Sequence, residues 1–201
     1  QYETISTEAQ LDTWIARLNA AELAIAASCG ATHLKVSALP RILIITTGDE
    51  LVAPEATPLP HQIRRSHATA LEALITGMKL GKVDSIHIAD DPLALKETIT
   101  EALPAHDILI LTGGISKGKY DYVAPVLTEL LGSPHFHGIA QRPGKPMWFG
   151  IGPTGTAVFA LPGNPVSTLV CLARYVIPAV YAAMGETQRA VEKIAIAAPI
   201  E

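Results

Sequence analysis

The chain has 201 residues and a formal net charge of −4, which is enough for one full domain with a short arm. A composition of 49% hydrophobic and 17% charged residues excludes disorder. The acidic balance argues against a basic nucleic-acid-binding protein.

Residues Thr7 to Ser28 carry Leu11, Trp14, Ile15, Leu18, Leu23 and Ile25 at helical spacing, and Gly30 reads as the C-cap. Arg41 to Thr46 is a short β-branched run and reads as a buried parallel strand. The prolines from Pro54 to Pro60 make a loop. A helix follows from Ser66 to Leu80, with Leu71, Leu74, Ile75 and Met78 on one face. Val83 to Ile88 is the next strand and Leu93 to Leu103 the next helix, with Pro92 in its first turn. Asp107 to Leu111 and Tyr120 to Leu131 repeat the pattern. Strand, loop and helix three times over predict βαβ units on a parallel sheet.

After Gly132 the pattern changes. His135 to Gln141 reads as a short strand, and Pro146–Gly150 and Thr156–Leu161 as a hairpin around Gly152-Pro153-Thr154-Gly155. Asn164 and Pro165 open a long helix from Val166 to Met184. Val191 to Glu201 resembles the start of a further strand. The expected class is α/β, a three-layer α/β/α fold with a mainly parallel sheet and a β-hairpin. Residues 1–36 form an arm, 37–186 the α/β domain and 187–201 the start of a β segment. The chain begins at Gln1 rather than Met, as a piece of a longer protein would. No apolar run approaches the ~20 residues of a membrane span, and no leader is visible. Cys29 and Cys171 lie far apart in apolar stretches, which predicts two buried thiols.

In open α/β sheets the ligand sits beyond the carboxyl ends of the strands. Those ends carry Asp49 and Glu50, then Asp90 and Asp91, then Thr112-Gly113-Gly114-Ile115-Ser116 with Asp121 beyond it, and finally Pro162-Gly163-Asn164. The carboxylates read either as helix caps or as a magnesium site, and the glycine-rich turn either as a plain turn or as a phosphate nest. Arg142 and Lys145 flank Pro143-Gly144, and Lys145 suits either a phosphate clamp or a solvated loop. His135 and His137 are too few for a zinc site.

Taken together, these residues resemble one family. Thr47-Gly48-Asp49-Glu50-Leu51, Asp90-Asp91-Pro92, Thr112-Gly113-Gly114-Ile115-Ser116, Tyr120-Asp121-Tyr122, Pro143-Gly144-Lys145-Pro146 and Leu161-Pro162-Gly163-Asn164-Pro165 occur in that order. They resemble the molybdopterin-binding domain of the MoeA family, the molybdopterin molybdotransferases, which includes the E domain of gephyrin. The resemblance implies a MoeA/MogA-like fold in a cytoplasmic enzyme that inserts molybdate into adenylylated molybdopterin and releases AMP, assisted by Mg2+. It implies a homodimer formed through domains outside this chain, with no nucleic-acid or membrane partner. By resemblance Glu50, Asp90 and Asp121 are the acidic and metal-binding residues, and Lys145 joins them in catalysis. Thr112, Gly113, Gly114, Ser116, Arg142, Pro143, Gly144, Lys145, Pro162, Gly163 and Asn164 match the pterin and phosphate cradle.

Where the family has Asp and Asn after its first loop, this chain has Arg65 and His67. Lys117 and Lys119 occupy a segment that is acidic in the family. These changes favour anions and weaken a magnesium site. They leave open a non-catalytic pterin-binding module, with a CinA-like nucleotide hydrolase or a gephyrin-like scaffold as further alternatives.

Overall fold

The structure is a computed structural model that describes residues 20–34, 36, 38–115 and 121–185. The chain divides into two compact units, residues 37–180 and residues 1–36 with 181–201. In the smaller unit, helix α1 (Ala20–Ser28) buries none of its residues. Cys29, expected to be buried, is exposed. The rest of the predicted Thr7–Ser28 helix and the predicted strand Val191–Glu201 lie outside the described residues.

The larger unit contains β1 (Arg41–Thr47), β2 (Leu51–Val52), β3 (Ile63–Arg64), α2 (His67–Gly77), β4 (Lys82–Ile88), α3 (Pro92–Ala102), β5 (Ile108–Thr112) and α4 (Val123–Leu131). Then come β6 (Phe136–His137), β7 (Trp148–Ile151), β8 (Ala157–Leu161), α5 (Pro165–Cys171), a π-helical turn (Leu172–Val176) and α6 (Ile177–Ala183). The six-stranded sheet runs β4-β1-β5-β8-β7-β6. The first four strands are parallel, and β7 and β6 are antiparallel additions. The expected parallel sheet and hairpin are therefore present. The short strand expected over His135–Gln141 shrinks to Phe136–His137.

Burial on both faces explains the apolar strands. Leu43, Ile45, Leu109, Leu111, Val158 and Ala160 alternate onto one face, in a core shared with Leu95 and Ile99 of α3 and Val126 and Leu127 of α4. Helices α2 and α5 pack together, with α2 also on β1 and β4 and α5 on β8. Helix α2 buries Leu71 and Ile75, whereas Leu74 and Met78, expected on the same face, are exposed. Phe136, Phe149 and Phe159 stack across β6, β7 and β8 with ring centroids 5.4 and 4.7 Å apart.

The segment Pro165–Ala183 corrects the expectation about apolar runs: its 19 residues have a mean hydropathy of 1.6, long and apolar enough to cross a membrane. Its buried side, with Cys171, Leu172, Val176 and Ile177, accounts for that composition in a core helix. The helix widens to a π turn just ahead of Pro178. A proline there offers no N–H to the preceding turn and clashes with its carbonyl.

Candidate functional site

The order β4-β1-β5 reverses the chain's direction across the sheet between β1 and β5, which opens a crevice at their carboxyl ends. Three turns meet there. Gly113 has φ +97°, and a Cβ on it would lie 2.9 Å from the Thr47 carbonyl oxygen. Gly114 has φ +59° and faces Val123 of α4. Gly163 faces the Gly113 Cα, 3.5 Å from where its own Cβ would be. At Gly113 and Gly114 no side chain fits, whereas a Cβ at Gly163 would make ordinary contact, so backbone lines the crevice where the β5 turn meets Thr47.

Beside them, the first two acidic loops lock together. The Asp90 N–H donates to Asp49 Oδ1 at 3.0 Å, and the Asp49 N–H donates to Asp90 Oδ2 at 3.4 Å. Asp90 lines a shallow cleft with Thr47, Gly114, Tyr122 and Val123. Burial, then the neighbouring Asp49 and Glu50 carboxylates, raise its pKa, while the Asp49 N–H and His87 oppose the shift. Glu50 instead folds back over Gly48, with its carboxylate oxygens 2.7 and 2.8 Å from the space a Cβ would occupy. Asp49, not Glu50, is thus the hydrogen-bonded partner of Asp90. Among the described residues no three His, Cys, Asp or Glu side chains form a metal-binding group, so Glu50, Asp90 and Asp121 do not converge as a preformed trio.

The two adjacent aspartates divide their work. Asp91 caps α3, accepting from the N–H groups of Leu93 at 2.9 Å and Ala94 at 3.3 Å. Asp91→Ala is expected to cost about 1 kcal/mol of stability, read from urea unfolding, and to leave the Asp49–Asp90 pair in place.

The paired strands β2 and β3 bring a basic segment to this edge. The Ile63 N–H donates to the Glu50 carbonyl at 2.8 Å, and the Arg65 N–H to the Val52 carbonyl at 2.9 Å. The charge of Arg65 bears on His87, whose ring bonds Thr46 Oγ1 at 3.0 Å. His67 opens α2 and is buried. Burial holds its pKa below 6.5, against a hydrogen bond with the Gly163 backbone. Burial and Arg65 likewise depress His87, opposed by Thr46, Asp90 and Glu50.

Imidazoles with lowered values bind fewer protons folded than unfolded. Their contribution to stability is present above 6.5 and is lost as pH falls through the native values. Asp90, raised above 3.8, has the opposite sense: its contribution is present at the acidic end and lost as pH rises through its native value. The urea midpoint is therefore expected to be lower at about pH 5.5 than at about pH 7.5, and His67→Gln with His87→Gln to narrow that gap. Neither His87 nor the Asp49 pairing was singled out from the sequence; their place at the ends of β4 and β1 was the available signal.

The predicted residues on the loops around β8 also map to this edge. Strand β7 runs antiparallel to β8, so the Arg142-Pro143-Gly144-Lys145 loop before Trp148 lies beyond the carboxyl end of β8. Arg142 and Lys145 are exposed, and the Arg142–Pro143 bond is cis. Asn164 Oδ1 caps α5 by accepting from the Ser167 N–H at 3.1 Å, so any ligand contact by Asn164 falls to its NH2 group. Thr168 Oγ1 ties down the Pro162 carbonyl at 2.5 Å. Asp121 precedes α4 and is half-buried; Ser116, Lys117 and Lys119 lie outside the described residues. Among the described residues, three buried side-chain atoms lack a hydrogen-bond partner: His67 Nε2, Thr112 Oγ1 and Trp148 Nε1.

Residues 43–182 match the family model described as "Probable molybdopterin binding domain". The chain is 43% identical over 160 residues to a molybdopterin molybdenumtransferase of Synechocystis sp., covering 79% of this chain and 41% of that protein. It is 40% identical over 166 residues to a protein of the same name from Nostoc sp., covering 82% and 38%. The crystal structure of a molybdopterin biosynthesis MoeA protein from Pyrococcus horikosii superposes with a TM-score of 0.73 at 32% identity, covering 85% of this chain and 42% of that one. The chain thus spans about two fifths of the length of these relatives. On the match over 43–182 and the architecture that carries it, the chain belongs to the molybdopterin-binding domain family.

Proposed function

We propose that this chain is the ligand-binding domain of a molybdenum insertase. In the intact protein, adenylylated molybdopterin binds at the β1–β5 crevice, molybdate enters at its dithiolene and AMP leaves. One arrangement carries this conclusion: the Gly113 turn closes onto Thr47, and the Gly163 turn packs on Gly113, beside the Asp49–Asp90 pair. The Gly113 N–H is itself donated to the Leu161 carbonyl at 3.4 Å, so a phosphate would take the N–H groups that follow it in the turn, and the carboxylates beside it suit a cation that offsets phosphate charge. Of the unpartnered atoms, Thr112 Oγ1 ends β5 and His67 Nε2 opens α2 beside Gly163, and such atoms gather where a ligand or water completes the bonding.

The roles are those the family resemblance implies for these residues. Thr112, Gly113, Gly114 and Ser116 with Pro162, Gly163 and Asn164 cradle the pterin phosphate. Arg142, Pro143, Gly144 and Lys145 clamp the anion, and Lys145 assists as the charge is transferred. Glu50 and Asp90, with Asp121, would hold Mg2+. Their oxygen donors suit a hard cation; burial chiefly raises the pKa of Asp90, and the Asp49 and Glu50 carboxylates that add to the shift are charge a cation would offset. Bound there, magnesium supplies charge neutralisation at the phosphate. The binding domain is taken as residues 37–186. The parent is a cytoplasmic homodimer that pairs through domains outside this chain, without nucleic-acid or membrane partners.

Titration of the chain with adenylylated molybdopterin tests the proposal. Binding is expected to strengthen with magnesium and to weaken in Lys145→Ala. No binding, in the chain and the intact parent alike, overturns it. Half-buried Arg65, whose charge bears on His87, favours one rival: a non-catalytic pterin-binding module. That rival gains if binding ignores both chelation of magnesium and Asp90→Ala.

A further inference from the structure

The helix that starts at the Asn164 turn also grips the second anion-binding turn, the loop that carries Lys145. Tyr175, in the π turn of that helix, donates its hydroxyl to Gln141 Oε1 at 2.8 Å. Gln141 Nε2 in turn donates to the Pro143 carbonyl at 2.7 Å. One turn earlier, Cys171 Sγ donates to the Gly144 carbonyl at 3.7 Å. The Lys145 carbonyl accepts from the Ile139 N–H at 2.8 Å. Three successive carbonyls, those of Pro143, Gly144 and Lys145, are therefore all held by the protein.

In a trans peptide the N–H points opposite to the C=O. Fixing the Pro143 and Gly144 carbonyls thus turns the N–H groups of Gly144 and Lys145 the other way. The contact is tight as well. Gly144 has φ +106°, and a Cβ there would lie 2.7 Å from both Cys171 Sγ and Gln141 Nε2. Only glycine lets the loop seat this closely on the helix. The π turn matters because it alters which side chains after Cys171 share the helix face toward the loop.

We infer that Tyr175, acting through Gln141, is the positioning residue for the Lys145 oxyanion clamp. This rests on the clamp role proposed for Lys145. Tyr175 touches no ligand; it sets the backbone from which Lys145 projects. One helix then fixes both anion-binding turns, the Asn164 turn by its start and the Lys145 loop by Tyr175.

The test uses the full chain, with sodium molybdate as the probe and Tyr175→Phe as the variant, because phenylalanine keeps the ring and removes only the hydroxyl. Hydrogen exchange of the backbone amides in 142–147 is expected to speed up in Tyr175→Phe. Molybdate affinity is expected to fall about fivefold, the scale of one net hydrogen bond. In a Lys145→Ala background the same change is expected to cost nothing further. Unchanged exchange in 142–147 overturns the inference whatever the affinity does. An equal affinity loss with and without Lys145 also overturns it, because the tyrosine then acts on the fold at large. If Lys145→Ala leaves molybdate binding untouched, the clamp fails and the inference with it; the exchange data still report separately on whether Tyr175 holds the loop.

Discussion

Gly113→Ala is expected to destabilise the domain by about 2–5 kcal/mol and to abolish ligand binding in the crevice. Two costs add. At φ +97° an alanine pays the left-handed backbone penalty, about 1–2 kcal/mol. Its methyl also sits 2.9 Å from the Thr47 carbonyl oxygen, on a buried residue at the end of β1 that pairs with Ile88 of β4. Relieving that clash shifts β1 against β5 at the point where the crevice opens, at about 1–3 kcal/mol. Gly155→Ala is the control, since its φ is +84° but nothing lies within 4 Å of the added carbon. The difference between the two variants in urea unfolding isolates the close approach. Equal losses would mean that the strand ends stand further apart than described.

Asp90→Ala in the intact protein is expected to lower AMP release by about 100-fold or more, on the scale of losing several kcal/mol of charge stabilisation at the phosphate. The folded state is not expected to suffer in proportion. Burial and two neighbouring carboxylates already disfavour the ionised form of Asp90, so its removal relieves repulsion. A large loss of activity with little change in the unfolding midpoint is the signature of a residue kept for its ligand. AMP release at saturating substrate, followed across a magnesium titration, measures the first quantity. Unchanged release would remove Asp90 from the reaction. Asp49→Ala is a useful companion, because it takes away the Asp49 Oδ1 acceptor that orients the Asp90 loop.

Strands β1, β5 and β8 of the parallel sheet are legible as apolar, largely aliphatic runs, and the more polar β4 as the run between Gly81 and the Asp90-Asp91-Pro92 loop. The ordered motifs likewise marked the carboxyl edge that the structure assembles. What escaped was set by partners distant in sequence. Strands β2 and β3 are two residues each, and nothing local marks them; only the pairing of Leu51 with Ile63 and of Val52 with Arg64 makes them strands. That pairing delivers Arg65 and His67 to the site. Spacing could not separate Asp49 from Glu50 or Asp90 from Asp91, since the choice depends on which carboxylate reaches the neighbouring loop and which reaches its own helix. Cys29 was misjudged because an Ala-rich helix looks like a core helix until its neighbours are known. The π turn did have a marker, Pro178 within a helical run, which periodicity alone passes over.

The two rims of the sheet bear on how the protein behaves when concentrated. At one rim β4 presents Lys82, Asp84 and Ser85 as exposed residues along its seven. At the other, β6 offers only two residues for pairing. A charged border and a truncated one both discourage a further strand from docking by its main chain. The otherwise aliphatic sheet is thereby guarded against runaway edge-to-edge aggregation, so its apolar strands can serve the core without making the protein prone to fibril growth.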